Sequence, residues 1–260
     1  MSVAESTGVR IAWEAVGDGP SLLLIHGLGY ARWGWGPVIA PLAGRFRVLS
    51  FDNRGIGASD VPPGPYSVAE LAADAVAVLD AADVGRAHVV GTSLGGMVAQ
   101  QLTLSYPERV DRLVLACTTP GGAGAHAMPD RTVALMQEAA TLGPEVALHR
   151  FVENALATDA PAELVEQIFR LRLEHPPDPA GWHAQAAAGA TFDVFDRLGE
   201  IGAPTLVLHG TDDGVVDVRN AELLAERIPG ACVELFEDAG HLFFWEQPGR
   251  FVRAVEEFLC

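Results

Sequence analysis

The chain has 260 residues, and all 17 of its basic residues are arginines, so the sequence contains no lysine. Schiff-base chemistry, the phosphate grip of a P-loop and the Ser-x-x-Lys hydrolase mechanism all need lysine and are therefore excluded. Because 34 acidic residues bring the formal net charge to −17, nucleic acids and anionic membrane surfaces are disfavoured as partners.

The composition is that of a chain with a large buried core. Hydrophobic residues make up 49% of the sequence and charged residues 20%, which predicts one α/β domain with an insertion. Cys117, Cys232 and Cys260 are too few and too scattered for a disulfide framework or a metal site, so we expect reduced thiols. The sequence shows no signal peptide and no apolar run near the ~18 residues of a membrane span, so we expect a cytoplasmic protein without a membrane anchor.

Short apolar runs alternate with longer alanine-rich stretches, a pattern that predicts a parallel sheet with crossover helices. Residues 9–15 and 21–25 flank a turn at 17–20 and predict an opening antiparallel hairpin. Further strands are predicted over 47–51, 88–91, 112–116, 205–209 and 232–236, and helices over 68–82, 94–106, 222–228 and 247–259.

Residues from about 120 to 195 break this alternation. They contain no strand pattern but several helical segments separated by proline and glycine. We therefore predict a core domain formed by residues 1–119 and 196–260, interrupted by an all-helical insertion at 120–195.

A serine lies where a predicted strand meets a predicted helix, in the segment Gly91-Thr92-Ser93-Leu94-Gly95. A sharp strand-to-helix turn leaves no room for side chains at the flanking positions, which explains the glycines, and it presents the hydroxyl at a helix N-terminus. Ser93 is therefore the candidate nucleophile. The alternative interpretation is an ordinary serine N-cap.

Serine is a weak nucleophile that needs a base and an orienting acid, and both follow later in the chain. His241 lies in a loop after the last predicted strand and is the candidate base. Asp212 and Asp213 both follow the strand at 205–209, and the residues alone leave the choice of acid open. His209 ends that strand, where we expect it to have a structural role.

Four segments in order resemble the α/β-hydrolase superfamily, and the resemblance extends over nearly all the chain. They are His26-Gly27-Leu28-Gly29, Asp52-Asn53-Arg54-Gly55-Ile56-Gly57, the Ser93 turn, and the pair formed by residues 210–213 and Gly240-His241. The resemblance implies an α/β-hydrolase fold, with a mostly parallel eight-stranded sheet flanked by helices and a helical cap or lid at 120–195. It selects Asp213 as the acid. Within the superfamily, residues 46–67 are most similar to the 3-oxoadipate enol-lactonase and carboxylesterase branch.

The same resemblance implies an oxyanion hole made by the backbone N–H groups of Leu28 and Leu94, and a mechanism without metal or cofactor. Trp33 near the first of these segments, Trp182 in the insertion and Phe243 after the histidine are expected to line an apolar substrate pocket. The sequence does not indicate an oligomeric state.

The expected activity is hydrolysis of a small carboxylic ester or lactone through a Ser-His-Asp triad and an acyl-enzyme. Two alternatives stay open. One is hydrolysis of a carbon–carbon bond, or cofactor-free perhydrolysis or haloperoxidase chemistry, by the same triad; the other is a ligand receptor on a hydrolase scaffold without turnover. Haloalkane dehalogenases and epoxide hydrolases use aspartate as the nucleophile, so Ser93 argues against them.

Overall fold

Eight strands form one sheet in the computed structural model, which describes residues 1–260. The strands are β1 (Ser2–Ser6), β2 (Val9–Val16), β3 (Ser21–Ile25), β4 (Arg47–Phe51), β5 (Ala87–Thr92), β6 (Val110–Ala116), β7 (Thr205–Gly210) and β8 (Cys232–Phe236). Their order across the sheet is β1-β2-β4-β3-β5-β6-β7-β8. The neighbours from β4 to β8 are parallel, whereas β1 and β2 are antiparallel at one edge. The prediction of a mostly parallel eight-stranded sheet is confirmed.

Helices cover both faces of this sheet. They are α1 (Gly36–Leu42), α2 (Val68–Ala81), α3 (Leu94–Ser105), α4 (Asp130–Ala139), α5 (Pro144–Asn154), α6 (Ala162–Glu174), α7 (Pro179–Ala190), α8 (Arg219–Arg227), α9 (Phe243–Glu246) and α10 (Pro248–Leu259). Alternate residues of β3 enter opposite cores: Leu23 belongs to the cluster that also contains α2, α3 and α8 residues, while Leu22 and Leu24 belong to the cluster that contains α1 and α10 residues. The apolar runs are continuous because both faces of the central strands are buried.

The opening hairpin prediction is wrong in its pairing. Strand β2 pairs with β1, a strand absent from the predicted set, and with β4 on its other side. Strand β3 instead lies between β4 and β5 and is parallel to both. The connection at Gly17 and Gly19 has positive φ angles and packs against the backbone of Ala43 and Phe46, which leads the chain past β4.

Four helices, α4 to α7, lie between β6 and β7 in the chain, and no strand occurs among them. An isolated bridge between Gly121 and Asp193 joins the two ends of this segment. Helix α7 packs closely on the core, since a β-carbon on Gly181 would collide with the carbonyl oxygen of Gly55. No helix of the chain is both long and apolar enough to cross a membrane.

Candidate active site

The candidate nucleophile lies at the sharp turn between β5 and α3. Ser93 has φ 54° and ψ −120°, a conformation that is strained for a residue with a side chain, and its hydroxyl makes no capping hydrogen bond to α3. The turn is held by its backbone, because the Ser93 N–H donates to the Ala116 carbonyl (2.9 Å) and the Thr118 hydroxyl donates to the Ser93 carbonyl (2.7 Å). The N-cap alternative is therefore excluded, and the hydroxyl is free for other chemistry.

The glycines on either side of Ser93 are required by close packing. A β-carbon on Gly91 would meet the backbone of Gly95, and a β-carbon on Gly95 would collide with the carbonyl oxygen of Ile25 at the end of β3. The first turn of α3 thus lies directly on the neighbouring strand, so no larger residue fits at these positions.

The candidate base and acid meet above β7 and β8. His241 Nδ1 lies 2.7 Å from Asp213 Oδ2, and the two side chains are almost completely buried. The other oxygen, Oδ1, accepts hydrogen bonds from the N–H groups of Val215 (2.7 Å) and Val216 (2.9 Å). His209, expected to be structural, places Nε2 3.0 Å from Asp213 Oδ2. The carboxylate of Asp213 is therefore fixed from several directions.

The two adjacent carboxylates point to different places. Asp212 turns away from His241, where it pairs with Arg131 (3.0 Å) and accepts hydrogen bonds from the N–H (2.6 Å) and hydroxyl (2.7 Å) of Thr158 in the insertion. Only Asp213 reaches the imidazole, so the geometry favours it over Asp212 as the candidate acid.

Charge coupling sets the protonation of this pair. Burial on its own lowers the pKa of His241, but the adjacent Asp213 carboxylate overcomes burial and raises that pKa well above the usual 6.5. Burial likewise favours the neutral acid at Asp213, yet the charge of His241 and hydrogen bonds from His209 and His241 hold the pKa of Asp213 well below its usual range. The arrangement stabilises a protonated imidazole, which is the form a general base takes during reaction.

A buried thiol connects the candidate base with the candidate nucleophile. Cys117 follows β6 with φ 42°, and its thiol contacts both the imidazole of His241 and the backbone of Ser93. Burial raises the pKa of the Cys117 thiol, so it is neutral. No hydrogen bond joins Ser93 Oγ to His241 directly; the two groups share Cys117 as a neighbour. The sequence predicts only a reduced thiol at this position and gives no sign of these contacts.

The segment after β3 lies against Ser93. A β-carbon on Gly27 would be 2.9 Å from the Ser93 β-carbon, and the N–H of Leu28 has no acceptor within the protein. Leu94 is the first residue of α3, so its N–H also lacks an intrahelical acceptor. Both unpaired N–H groups belong to segments that adjoin Ser93, an arrangement compatible with the predicted oxyanion hole.

His26 has a structural place beneath this segment. Its Nδ1 accepts a hydrogen bond from the Gly27 N–H (2.7 Å), and burial lowers the pKa of His26 to about 3. The ring is therefore neutral, with its proton on Nε2. It stacks on Tyr30 with ring centroids 4.8 Å apart.

The three predicted pocket residues have three different surroundings. Trp33 is half-buried and stacks on His175 of the insertion, with ring centroids 5.6 Å apart, beside an open cavity of about 420 Å³. Trp182 packs on Gly29. Phe243 is fully buried in an aromatic cluster of the core with Phe236, Phe244 and Phe251. The pocket prediction for Phe243 is corrected accordingly, because its ring faces the core.

These features define an α/β-hydrolase, and comparison with known proteins agrees. Residues 20–248 match the family described as alpha/beta hydrolase fold, so the chain belongs to that family. It is 30% identical over 253 residues to 3-oxoadipate enol-lactonase 2 of Acinetobacter baylyi, covering 97% of this chain and 93% of that one.

Two further relatives differ in their named activities. A 2-hydroxy-6-oxononadienedioate/2-hydroxy-6-oxononatrienedioate hydrolase of Burkholderia vietnamiensis is 34% identical over 270 residues, covering 99% of this chain and 93% of the relative. The solved structure of Est816, described as an N-acyl homoserine lactone degrading enzyme, superposes with a TM-score of 0.85 at 33% identity and covers 99% of this chain and 100% of its own. The protein is therefore a hydrolase that resembles the lactonase and esterase branch of the family.

Proposed function

We propose that this protein is a serine hydrolase that cleaves carboxylic esters or lactones. One observation chiefly supports the proposal: His241 Nδ1 lies 2.7 Å from Asp213 Oδ2 at the carboxyl ends of the parallel strands, where the strained Ser93 turn also lies. The similarity to an enol-lactonase and to Est816 supports the same substrate class.

In the proposed acylation step, His241 removes the Ser93 proton while Oγ attacks the substrate carbonyl carbon. The oxygen that becomes negative accepts hydrogen bonds from the N–H groups of Leu28 and Leu94, and each donor of this kind is worth about 3 kcal/mol. As the carbon–oxygen bond breaks, the imidazolium gives its proton to the leaving alkoxide. In a lactone the alcohol stays attached to the acyl group.

Deacylation repeats these roles with water. His241 takes a proton from water, the hydroxide adds to the acyl carbon, and the imidazolium returns the proton to Ser93 Oγ as the carboxylic acid leaves. Asp213 keeps its negative charge throughout and stabilises the imidazolium. We propose that α4 to α7 act as the cap that encloses the acyl group, and that Trp33 and Trp182 border its site.

The proposal is tested with p-nitrophenyl acetate. The wild type should release a burst of p-nitrophenol followed by steady turnover, whereas Ser93→Ala should show neither. Ser105→Ala, at the exposed C-terminal end of the same helix, is the matched control and should behave as the wild type does. Turnover retained in Ser93→Ala at the wild-type rate would exclude the proposed mechanism.

Hydrolysis of a carbon–carbon bond is the second candidate, because the Burkholderia vietnamiensis relative is named for 2-hydroxy-6-oxononadienedioate and 2-hydroxy-6-oxononatrienedioate. The same triad would serve, with a carbanion in place of the alkoxide as leaving group. Steady-state rates on a 2-hydroxy-6-oxodienoate and on esters and lactones of graded acyl size separate the two: the second candidate requires kcat/KM to be higher for the dienoate.

A further inference from the structure

The segment that carries the Leu28 N–H is a tight turn with little internal support. A single hydrogen bond of 3.3 Å, from the Tyr30 N–H to the Gly27 carbonyl, closes it. Gly29 has φ 72°, a conformation open to glycine but costly for other residues. A turn of this composition has several accessible peptide orientations, so contacts from outside must select one.

Those contacts come from the helical insertion. Gln185 of α7 is fully buried; its Oε1 accepts the Gly29 N–H (3.3 Å), and its Nε2 donates to the Arg54 carbonyl (2.7 Å). Arg172 of α6 donates from Nη1 to the Gly29 carbonyl (2.6 Å), and its guanidinium lies 4.5 Å from the centre of the Tyr30 ring. Both backbone groups of Gly29 are therefore held by side chains of the insertion.

We propose that Gln185 and Arg172 are positioning residues that keep the Leu28 N–H aimed at the reacting carbonyl, an inference that rests on the proposed function. An oxyanion donor is effective because it is fixed before charge develops. The turn carrying this donor is fixed at Gly29, the residue after Leu28, by helices that belong to the insertion. The oxyanion hole is thus complete only while α6 and α7 are docked on the core.

The neighbours of the two side chains support this role over simple packing. Gln185 has both amide atoms paired, and it joins the turn after β3 to the loop after β4. Arg172 forms no ion pair with any carboxylate, so its charge is directed at the Gly29 carbonyl and the Tyr30 ring. A glutamine that merely anchored α7 would not need to accept a hydrogen bond from the residue next to the oxyanion donor.

The first test compares Gln185→Leu with Gln101→Leu. The first variant removes both hydrogen bonds with little change in volume; the control removes a glutamine whose amide bonds only to Ser105 on the exposed side of α3. With p-nitrophenyl acetate, Gln185→Leu should lower kcat roughly 10- to 100-fold with KM within about two-fold, because a misplaced donor acts mainly in the transition state. Gln101→Leu should leave both constants unchanged. Thermal melts of both variants confirm that each is folded.

Gln185→Glu supplies a pH signature that a packing role would not give. A protonated carboxyl group at this position can accept the Gly29 N–H and donate to the Arg54 carbonyl, as the amide does. An ionised one places two negative oxygens against that carbonyl. The ratio of variant to wild-type kcat should therefore fall as pH rises through the carboxyl pKa, and Gln185→Leu should show no such dependence.

Amide hydrogen exchange of the peptide spanning 26–30 separates this inference from the proposed function. Exchange in the Gln185→Leu variant should be faster than in the wild type and in Gln101→Leu, whether or not the protein hydrolyses esters. Unchanged exchange, or a lower melting temperature with unchanged kcat, would overturn the positioning role. If the wild type and Ser93→Ala were equally inactive, the proposed function would be refuted. Faster exchange in Gln185→Leu would still show that Gln185 holds the turn at 26–30.

Discussion

Adjacent aspartates after β7 differ only in where their side chains point. Asp213 accepts hydrogen bonds from two backbone N–H groups and faces two histidines, whereas Asp212 pairs with Arg131 and Thr158. One carboxylate is therefore buried against the candidate base, and the other ties the core to the insertion.

This difference predicts unequal effects of the same chemical change. Asp213→Asn should lower kcat roughly 10⁴-fold, since an amide cannot stabilise the imidazolium and favours the wrong tautomer. Asp212→Asn keeps one acceptor oxygen and removes a partly exposed ion pair, so kcat should stay within about two-fold. Steady-state kinetics on one ester measure both, and equal losses in the two variants would contradict the assignment of the acid.

The pH dependence of kcat/KM should also depend on the Asp213 carboxylate. Because Asp213 raises the pKa of His241 well above 6.5, the base is neutral only at higher pH, and kcat/KM should rise with pH along a limb centred above 6.5. In Asp213→Asn burial acts without the opposing charge, so the limb should move to lower pH as the maximum falls. If the midpoint of the limb did not move in Asp213→Asn, the limb would reflect the titration of a group other than His241.

Individual site residues are predictable from the sequence only where a local motif identifies them. Ser93 is predictable because neighbouring residues determine a strand-turn-helix geometry. His241 is predictable because it follows Ser93 and the acid in a fixed order along the chain. The contacts of Cys117 and Gln185 cannot be predicted in this way, because their partners lie far away in the chain and nothing local marks them. The choice of Asp213 over Asp212 needed the family resemblance, since both follow the same strand.

Most elements were predictable because their apolar periods are strong. The strands at 21–25, 47–51 and 232–236 have the predicted bounds, and the closing helix begins one residue later than expected. Strand β1 could not be predicted, because it has only five residues and most of them are polar. The hairpin error has another cause: a glycine-rich turn indicates a reversal of direction but not which strands become neighbours.

Helix α7 offers a stability prediction with an internal control. Gly181→Ala should lower the free energy of unfolding by about 1–3 kcal/mol, because the new methyl group would collide with the Gly55 backbone. Gly189→Ala lies on the same helix, where the nearest atom to a new β-carbon is 3.4 Å away; it should be neutral or stabilising by up to about 1 kcal/mol. Denaturant titrations measure both values. A Gly181→Ala protein as stable as Gly189→Ala would show that α7 shifts freely on the core.

The whole molecule carries a net charge of −17, which should matter for charged substrates. Three arginines of the insertion already have partners: Arg131 pairs with Asp212, Arg150 pairs with Glu138, and Arg172 donates to the Gly29 carbonyl. The acidic field is therefore not offset by a free arginine among these three.

We expect kcat/KM for an uncharged p-nitrophenyl ester to exceed that for an ester of equal length ending in a carboxylate. The ratio should shrink as salt rises from about 0.01 to 0.3 M, because screening shortens the Debye length from about 30 Å to below 8 Å. Parallel titrations with NaCl on both esters provide the measurement. A preference for the anionic ester at low salt would reveal a local cationic site.

The parallel sheet also determines how the site comes into being during folding. Leu28, Ser93, Asp213 and His241 follow four different strands, and two of these strands lie beyond the helical insertion in the chain. Their contacts close loops of very different length, and such long-range contacts form late and slowly. Each half of the chain therefore carries only part of the candidate site, with Ser93 before the insertion and the pair Asp213 and His241 after it. Enzymatic activity should therefore appear only when β8, the last strand, has joined the sheet. A newly synthesised chain would become active only after nearly all of its sequence had been made.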